Sequence, residues 1–271
     1  MRQSVPALRL PALFIGHGLA SNAVDDNVFT ESWSCLGSGI GKPRGVLVIS
    51  AHWMTAGSIQ VTAMERPRTL HGEHNPTLQS FTYPAPGSSE LAARVRELLQ
   101  PEAVEYSSDW GLDEGSWTVL SHFYPAADVP VVQLSLNISE PMAWHFYTAE
   151  KLRMLRSEGY LIIGSGNLVH NTVMADYDAD NMAYSWALRF QKNIAEAIRE
   201  GRHEDLLDLT SLGQESGLAV PSPEHYLPLL YVLATRDMQD DALEFITPQC
   251  IYGSLSMMSV ALWPSANPQA E

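Results

Sequence analysis

Four short runs of aliphatic residues constrain this 271-residue chain more than any other feature. They lie at 12–15, 45–50, 131–136 and 161–164. Each is apolar throughout rather than alternating. That is the pattern of a strand buried on both faces, and such strands occur in parallel sheets covered by helices. Helical patterns separate or follow them. Residues 88–99 open on small polar residues, with Glu90 placed to help cap the first turn. Residues 143–158 run to a stop at Gly159, and residues 183–200 to one at Gly201. Residues 223–234 begin Pro-Glu, which suits the first turn of a helix. Late strands are expected at 243–246 and 253–260. The alternation predicts an α/β sandwich with a mostly parallel central sheet flanked by helices. No seam rich in Pro, Gly or Ser divides the chain and no repeat is present, so one domain over residues 1–271 is expected.

Composition narrows the partners. Hydrophobic residues at 45% and charged residues at 17% fit an ordered globular chain. The net charge of −15 repels phosphate backbones and anionic lipid, so neither nucleic acid nor a membrane is expected as partner. Cys35 and Cys250 form no CxxC pair, which argues against a structural zinc knuckle, and two buried free thiols are expected. Residues 1–13 lack the apolar core of a signal peptide, and no stretch approaches the roughly 20 apolar residues of a membrane span. These features predict a cytoplasmic protein. They leave its oligomeric state open.

The nine histidines carry the chemistry. His17 follows the first apolar run by two residues, between Gly16 and Gly18, which let the backbone turn sharply and approach a ligand. His52 directly follows the second run, and His170 comes six residues after the last. Ligands of open α/β sheets bind beyond the carboxyl ends of the strands, so three strands that each deliver a histidine there predict a shared site. Neutral imidazole is the commonest protein ligand for zinc, iron, copper and nickel. His225 sits beside Glu224 at the start of the last helical pattern. His122 and His145 read as packed structural residues, and His203 as a solvated helix start. His71 and His74 lie in a loop and either line a pocket or face water. Gly164-Ser165-Gly166 resembles a nucleophile turn but is not Gly-x-Ser-x-Gly, and neither a dinucleotide fingerprint nor a Walker motif is present.

These residues sit within an ordered series of motifs. They include Pro-Ala-Leu-Phe-Ile-Gly-His-Gly at 11–18, Val-Ile-Ser-Ala-His-Trp at 48–53, Tyr-Pro-Ala-Pro-Gly at 83–87 and Trp-Gly-Leu-Asp at 110–113. Ser-Gly-Asn-Leu-Val-His-Asn follows at 165–171, then Pro-Glu-His-Tyr-Leu-Pro-Leu at 223–229. From about residue 11 to about 260 the chain resembles the extradiol ring-cleaving dioxygenases of the DOPA-opening type, relatives of the catalytic subunit of protocatechuate 4,5-dioxygenase. The resemblance implies His17, His52 and His225 as metal ligands and His170 as the acid–base histidine. It implies Fe(II) as the active metal, with Zn(II) able to occupy the same ligands. It implies a small aromatic substrate, a catechol or a related ortho-substituted phenol, opened with O2. His71, His74 and Asn171 are expected in the substrate pocket.

The chain departs from that pattern at two places. DOPA-opening relatives carry Asp-His-Gly where this chain has Asp113-Glu114-Gly115. Glu114 then either binds the metal, stands in for a catalytic histidine, or points away. The loop at 71–76 is about two residues shorter than in relatives. These changes leave an alternative open, in which the same histidine site serves zinc-dependent hydrolysis or oxidation of a non-catechol substrate.

Overall fold

The computed structural model describes residues 9–72 and 78–265. Its strands are β1 (Ala12–Gly16), β2 (Gly45–Thr55), β3 (Ile59–Thr62), β4 (Val104–Ser107), β5 (Val131–Asn137), β6 (Tyr160–Gly166), β7 (Asp241–Ile246), β8 (Cys250–Ile251), β9 (Leu255–Ser256) and β10 (Ser259–Pro264). Eight form one sheet in the order β4-β3-β5-β2-β6-β1-β10-β7, and β8 pairs with β9. The four apolar runs of the sequence are β1, β2, β5 and β6. They form the parallel block β5-β2-β6-β1 at the sheet's centre. Antiparallel pairings of β3 with β5, and of β10 with β1 and β7, extend the block on both sides.

The helices are α1 (Val28–Ile40), α2 (Ser89–Leu98), α3 (Glu114–Phe123), α4 (Met142–Ala149), α5 (Arg153–Ser157), α6 (Ser185–Glu200), α7 (His203–Leu207), α8 (Ser216–Ala219) and α9 (Leu227–Ala234). They cover both faces of the sheet. Successive strand residues point to opposite faces, so each strand feeds two cores. Phe14, Leu47, Ile49, Val132 and Ile162 pack with Leu91 of α2, Phe146 of α4, Phe190 of α6 and Leu230 of α9. Leu13, Ile15, Val46, Val48 and Ile163 pack with Trp33 of α1 and Trp117 of α3. Burying one such aliphatic side chain contributes about 1.5–3 kcal/mol, which is why the block reads apolar throughout.

Several expectations are corrected. The helix expected over 143–158 is divided into α4, a 3-10 turn at Glu150–Leu152 and α5. The last helix begins at Leu227, four residues after Pro223, and residues 224–226 form a turn. The strand expected over 253–260 is interrupted between β9 and β10. Ser88, not Glu90, caps α2, through its side chain and the Leu91 N–H. Both cysteines are free, but Cys35 is exposed on α1 and only Cys250 is buried. Strands β3 and β4 and helices α1 and α3 are additional to the expected elements.

One buried ion pair ties the chain's ends together. Arg156 of α5 meets Asp241 of β7 through two contacts, of 2.6 and 2.8 Å, with both side chains fully buried. Its remaining donors reach the carbonyls of Leu10, Thr235 and Leu262. A buried guanidinium is tolerated only with this degree of satisfaction. Among the described residues, no helix is long and apolar enough to cross a membrane.

Candidate metal centre

Strands β2, β6 and β1 lie side by side with their carboxyl ends on one sheet edge. His17 follows β1 directly and is 3% exposed. The next residue, Gly18, has φ +63°, a left-handed turn that favours glycine. His52 lies inside β2 rather than beyond it. The pairing of β2 with β5 loses register between Ile49 and Met54, and His52 sits in that irregular stretch. Such bulges re-aim side chains next to sites. His52 Nε2 stands 3.4 Å from His17 Nε2.

His225 arrives from the turn before α9, and β6 explains how. A Cβ at Gly164 would lie 2.5 Å from the Pro228 carbonyl oxygen, and one at Gly166 would lie 2.2 Å from that of His225. Both glycines leave room for backbone, so residues 225–228 rest directly on β6. The Asn167 N–H donates to the His225 carbonyl at 2.9 Å and holds the contact. Gly164-Ser165-Gly166 is therefore a bed for the third histidine, not a nucleophile turn. Ser165 faces the other way, with its Oγ 2.9 Å from His17 Nδ1 and 2.6 Å from the Gly115 carbonyl.

The three rings form a nearly equilateral triangle, with centroids 5.2, 5.4 and 5.4 Å apart. One ring nitrogen from each lies within 4.8 Å of the others. The donor set fits a divalent first-row ion. Nitrogens at about 2.0–2.1 Å from one ion in tetrahedral array stand about 3.4 Å apart, matching the His17–His52 separation. Burial, then the charges of the neighbouring imidazoles, hold His17 and His225 well below the usual histidine range. Those two rings are thus neutral and able to ligate.

His170 stacks face to face on His225, with centroids 3.5 Å apart and planes 7° from parallel. Burial lowers it to about 4, with Glu224 opposing and His52 reinforcing the shift. Glu224 Oε1 lies 3.4 Å from His225 Nδ1 and accepts from Ser222 Oγ at 2.7 Å. Glu224 therefore backs the His225 ring, the usual role of a carboxylate behind a metal-binding histidine.

Residues 21–262 match the family described as the catalytic LigB subunit of aromatic ring-opening dioxygenase. The chain belongs to this family. It is 45% identical to a 4,5-DOPA dioxygenase extradiol of Escherichia coli K12 over 94% of this chain and 95% of that protein. It is 36% identical to a 4,5-DOPA dioxygenase extradiol of Beta vulgaris over 80% of this chain and 83% of that one. The crystal structure of an uncharacterized protein of Escherichia coli K12 superimposes with a TM-score of 0.81 at 41% identity, covering 93% of this chain and 99% of the other. The function class is metal-dependent extradiol opening of an aromatic ring by O2.

The remaining residues of interest occupy defined places in this LigB-family fold. Asp113 caps α3, accepting from the Ser116 N–H and from Ser50 Oγ, while its second oxygen accepts from Gln133 Nε2. That cap sets Gly115 against His52, where a Cβ would stand 3.3 Å from His52 Cδ2. Glu114 Oε1 accepts from the Gly72 N–H at 3.0 Å, which ties the 70–72 loop to α3. Among the described residues, Glu114 joins neither the clustered ligand atoms of His17, His52 and His225 nor those of His170, Glu224 and His225. His71 packs its ring 5.7 Å from Trp117. His74 lies outside the described residues. Asn171 is buried and engaged by the protein itself, donating to the Leu218 carbonyl and accepting from the Met174 N–H. His122 bonds the Asn22 carbonyl, and Asn22 in turn donates to the His17 carbonyl. His145 is structural as expected, bonded to Tyr231. His203 starts α7 but rests against Phe146, so it is partly buried rather than solvated. A cleft of about 350 Å³ opens beside the segment after His17, bounded by Leu19, Asn22, Asp180 and Tyr252. None of the four histidines lines it, so the chemistry is placed at the histidine cluster.

Proposed function

We propose that His17, His52 and His225 hold one divalent metal ion, with Fe(II) as the active metal, and that the chain is a single catalytic domain. Its substrate class is a catechol or a related ortho-substituted phenol. The observation that carries this reading is the convergence of three imidazoles, from stretches of sequence far apart, on one point at the carboxyl edge of the parallel block. Zn(II) competes for the same nitrogens, because affinity for such a site does not by itself select iron.

When bound, the metal acts as a Lewis acid and brings the two hydroxyl oxygens and O2 together. The protein supplies the rest. His170 takes a proton from a substrate hydroxyl onto a ring nitrogen and returns it as the ring opens, as general base and then acid. Its stacking on His225 fixes that ring beside the ligand set. Glu224 holds the His225 ring in place from behind. The 70–72 loop, held by Glu114, shapes the substrate pocket with His71.

The test is metal analysis of protein prepared anaerobically, followed by O2 uptake and absorbance of the ring-opened product. Fe(II)-loaded protein consumes O2 with at least one member of a panel of catechols and aminophenols. Absence of uptake across the panel, with iron demonstrably bound, sinks the reading.

A further inference from the structure

We infer that Ser165 is a positioning residue that sets the tautomer of His17 and thereby selects Nε2 as its metal-binding atom. This rests on the histidine site proposed above. The Ser165 hydroxyl has one hydrogen and two near neighbours, the Gly115 carbonyl oxygen at 2.6 Å and His17 Nδ1 at 2.9 Å. A carbonyl oxygen only accepts, so the hydroxyl donates to Gly115. The remaining contact is a hydrogen bond only if His17 Nδ1 carries a hydrogen and donates to Ser165 Oγ. The alternative, donation from Ser165 to His17, leaves two buried oxygens at 2.6 Å with no hydrogen between them. A neutral imidazole carries one N–H, so a proton on Nδ1 leaves the lone pair on Nε2. That atom is the one facing His52 Nε2 at 3.4 Å.

The fold builds this relay on purpose-shaped backbone. Ser165 is fully buried and registers beside Ile15, so its side chain emerges under the turn that carries His17. Gly115 comes close because it has no side chain: a Cβ there would stand 2.5 Å from Ser50 Oγ and 3.3 Å from His52 Cδ2. The Gly115 carbonyl thus orients Ser165, and Ser165 orients His17. The relay gives a role to the serine that stands between two glycines serving the opposite face of β6. No nucleophilic role is needed for it.

The test uses protein labelled with 15N-histidine and stripped of metal by chelation, at mildly alkaline pH. In the wild type, His17 shows its N–H on Nδ1 and an unprotonated Nε2. In Ser165→Ala the Nε2–H tautomer becomes populated, and zinc affinity, read by competition with a chromophoric chelator, falls about 10–100-fold. Ser165→Thr, which keeps the hydroxyl, restores both. An Nε2–H tautomer in the wild type overturns the inference, as does a Ser165→Ala protein with unchanged tautomer and affinity. If Ser165→Ala does not fold, the wild-type tautomer decides alone. Failure of the wild type to bind zinc overturns the metal site instead, because the tautomer is read without metal.

Discussion

Gly166→Ala adds one methyl group and removes no polar atom, yet it acts directly on a proposed metal ligand. The new Cβ would lie 2.2 Å from the His225 carbonyl oxygen, whereas ordinary contacts begin at 3.4 Å. The His225 backbone must therefore retreat by about 1.2 Å, and the Asn167 N–H bond to it, now 2.9 Å, is lost. Overpacking of this kind costs about 1–3 kcal/mol and a lost backbone hydrogen bond about 0.5–1.5 kcal/mol. At about 2–4 °C per kcal/mol for a chain of this size, the melting temperature falls by roughly 3–18 °C. Displacing a reacting group by about 1 Å costs about 100-fold, so kcat/KM for O2 uptake falls by about that factor in the metal-loaded enzyme. Gly39→Ala is the control. A Cβ there meets nothing within 4 Å on helix α1, so stability changes by less than about 1 kcal/mol and turnover is unchanged. If Gly166→Ala melts with the wild type and turns over within twofold of it, the glycine bed does not position His225.

Three further outcomes are expected. Arg156→Ala strands the fully buried Asp241 carboxylate with only the partly exposed Arg9 and the Asp237 N–H in contact among the described residues, and destabilises the fold by about 3–5 kcal/mol; a melting temperature within about 2 °C of wild type would refute this. His145 titrates near 4 in the folded chain because of burial, against 6.5 when free, so the unfolded chain takes up its proton first. Its contribution is complete above about 6.5 and is lost as pH falls toward 4, about 2 kcal/mol of it between pH 7 and 5; the urea stability of His145→Leu declines less over that range, and parallel declines would contradict the assignment. Glu114→Ala frees the Gly72 N–H and loosens the 70–72 loop, raising KM with zinc affinity unchanged, whereas a tenfold loss of zinc affinity would place Glu114 on the metal.

What the sequence revealed of the fold follows from where burial is two-sided. The four strands of the parallel block are covered by helices on both faces, so their apolar runs stand out. Strand β4 lies at the sheet edge with Glu105 and Tyr106 exposed, and it carries no such signal. Helix α3 was hidden for the opposite reason. Most of its residues are buried, from Gly115 through Leu120 and again at Phe123, so it lacks the polar face that makes a helical period visible. Helix α1 contains Gly37 and Gly39, poor helix formers. It is secured instead by a capping box between Asn27 and Thr30 and by the close fit of Gly37 against the Phe123 backbone.

The histidines differ in the same way. His17 and His52 were legible because each ends or interrupts an apolar run, and strand ends are where α/β sheets place ligands. His225 had no such local mark, since its turn carries no strand and its approach depends on a different segment. The signal lay in β6, in the alternation Gly164-Ser165-Gly166. Residues two apart share a face of a strand, so paired glycines announce a close backbone approach on one face, and the residue between them serves the other. On one face β6 admits the His225 carbonyl, and on the other Ser165 reaches His17. A single three-residue stretch thus positions two of the three proposed ligands. Substitutions there should separate them, with Gly166→Ala moving His225 and Ser165→Ala altering His17.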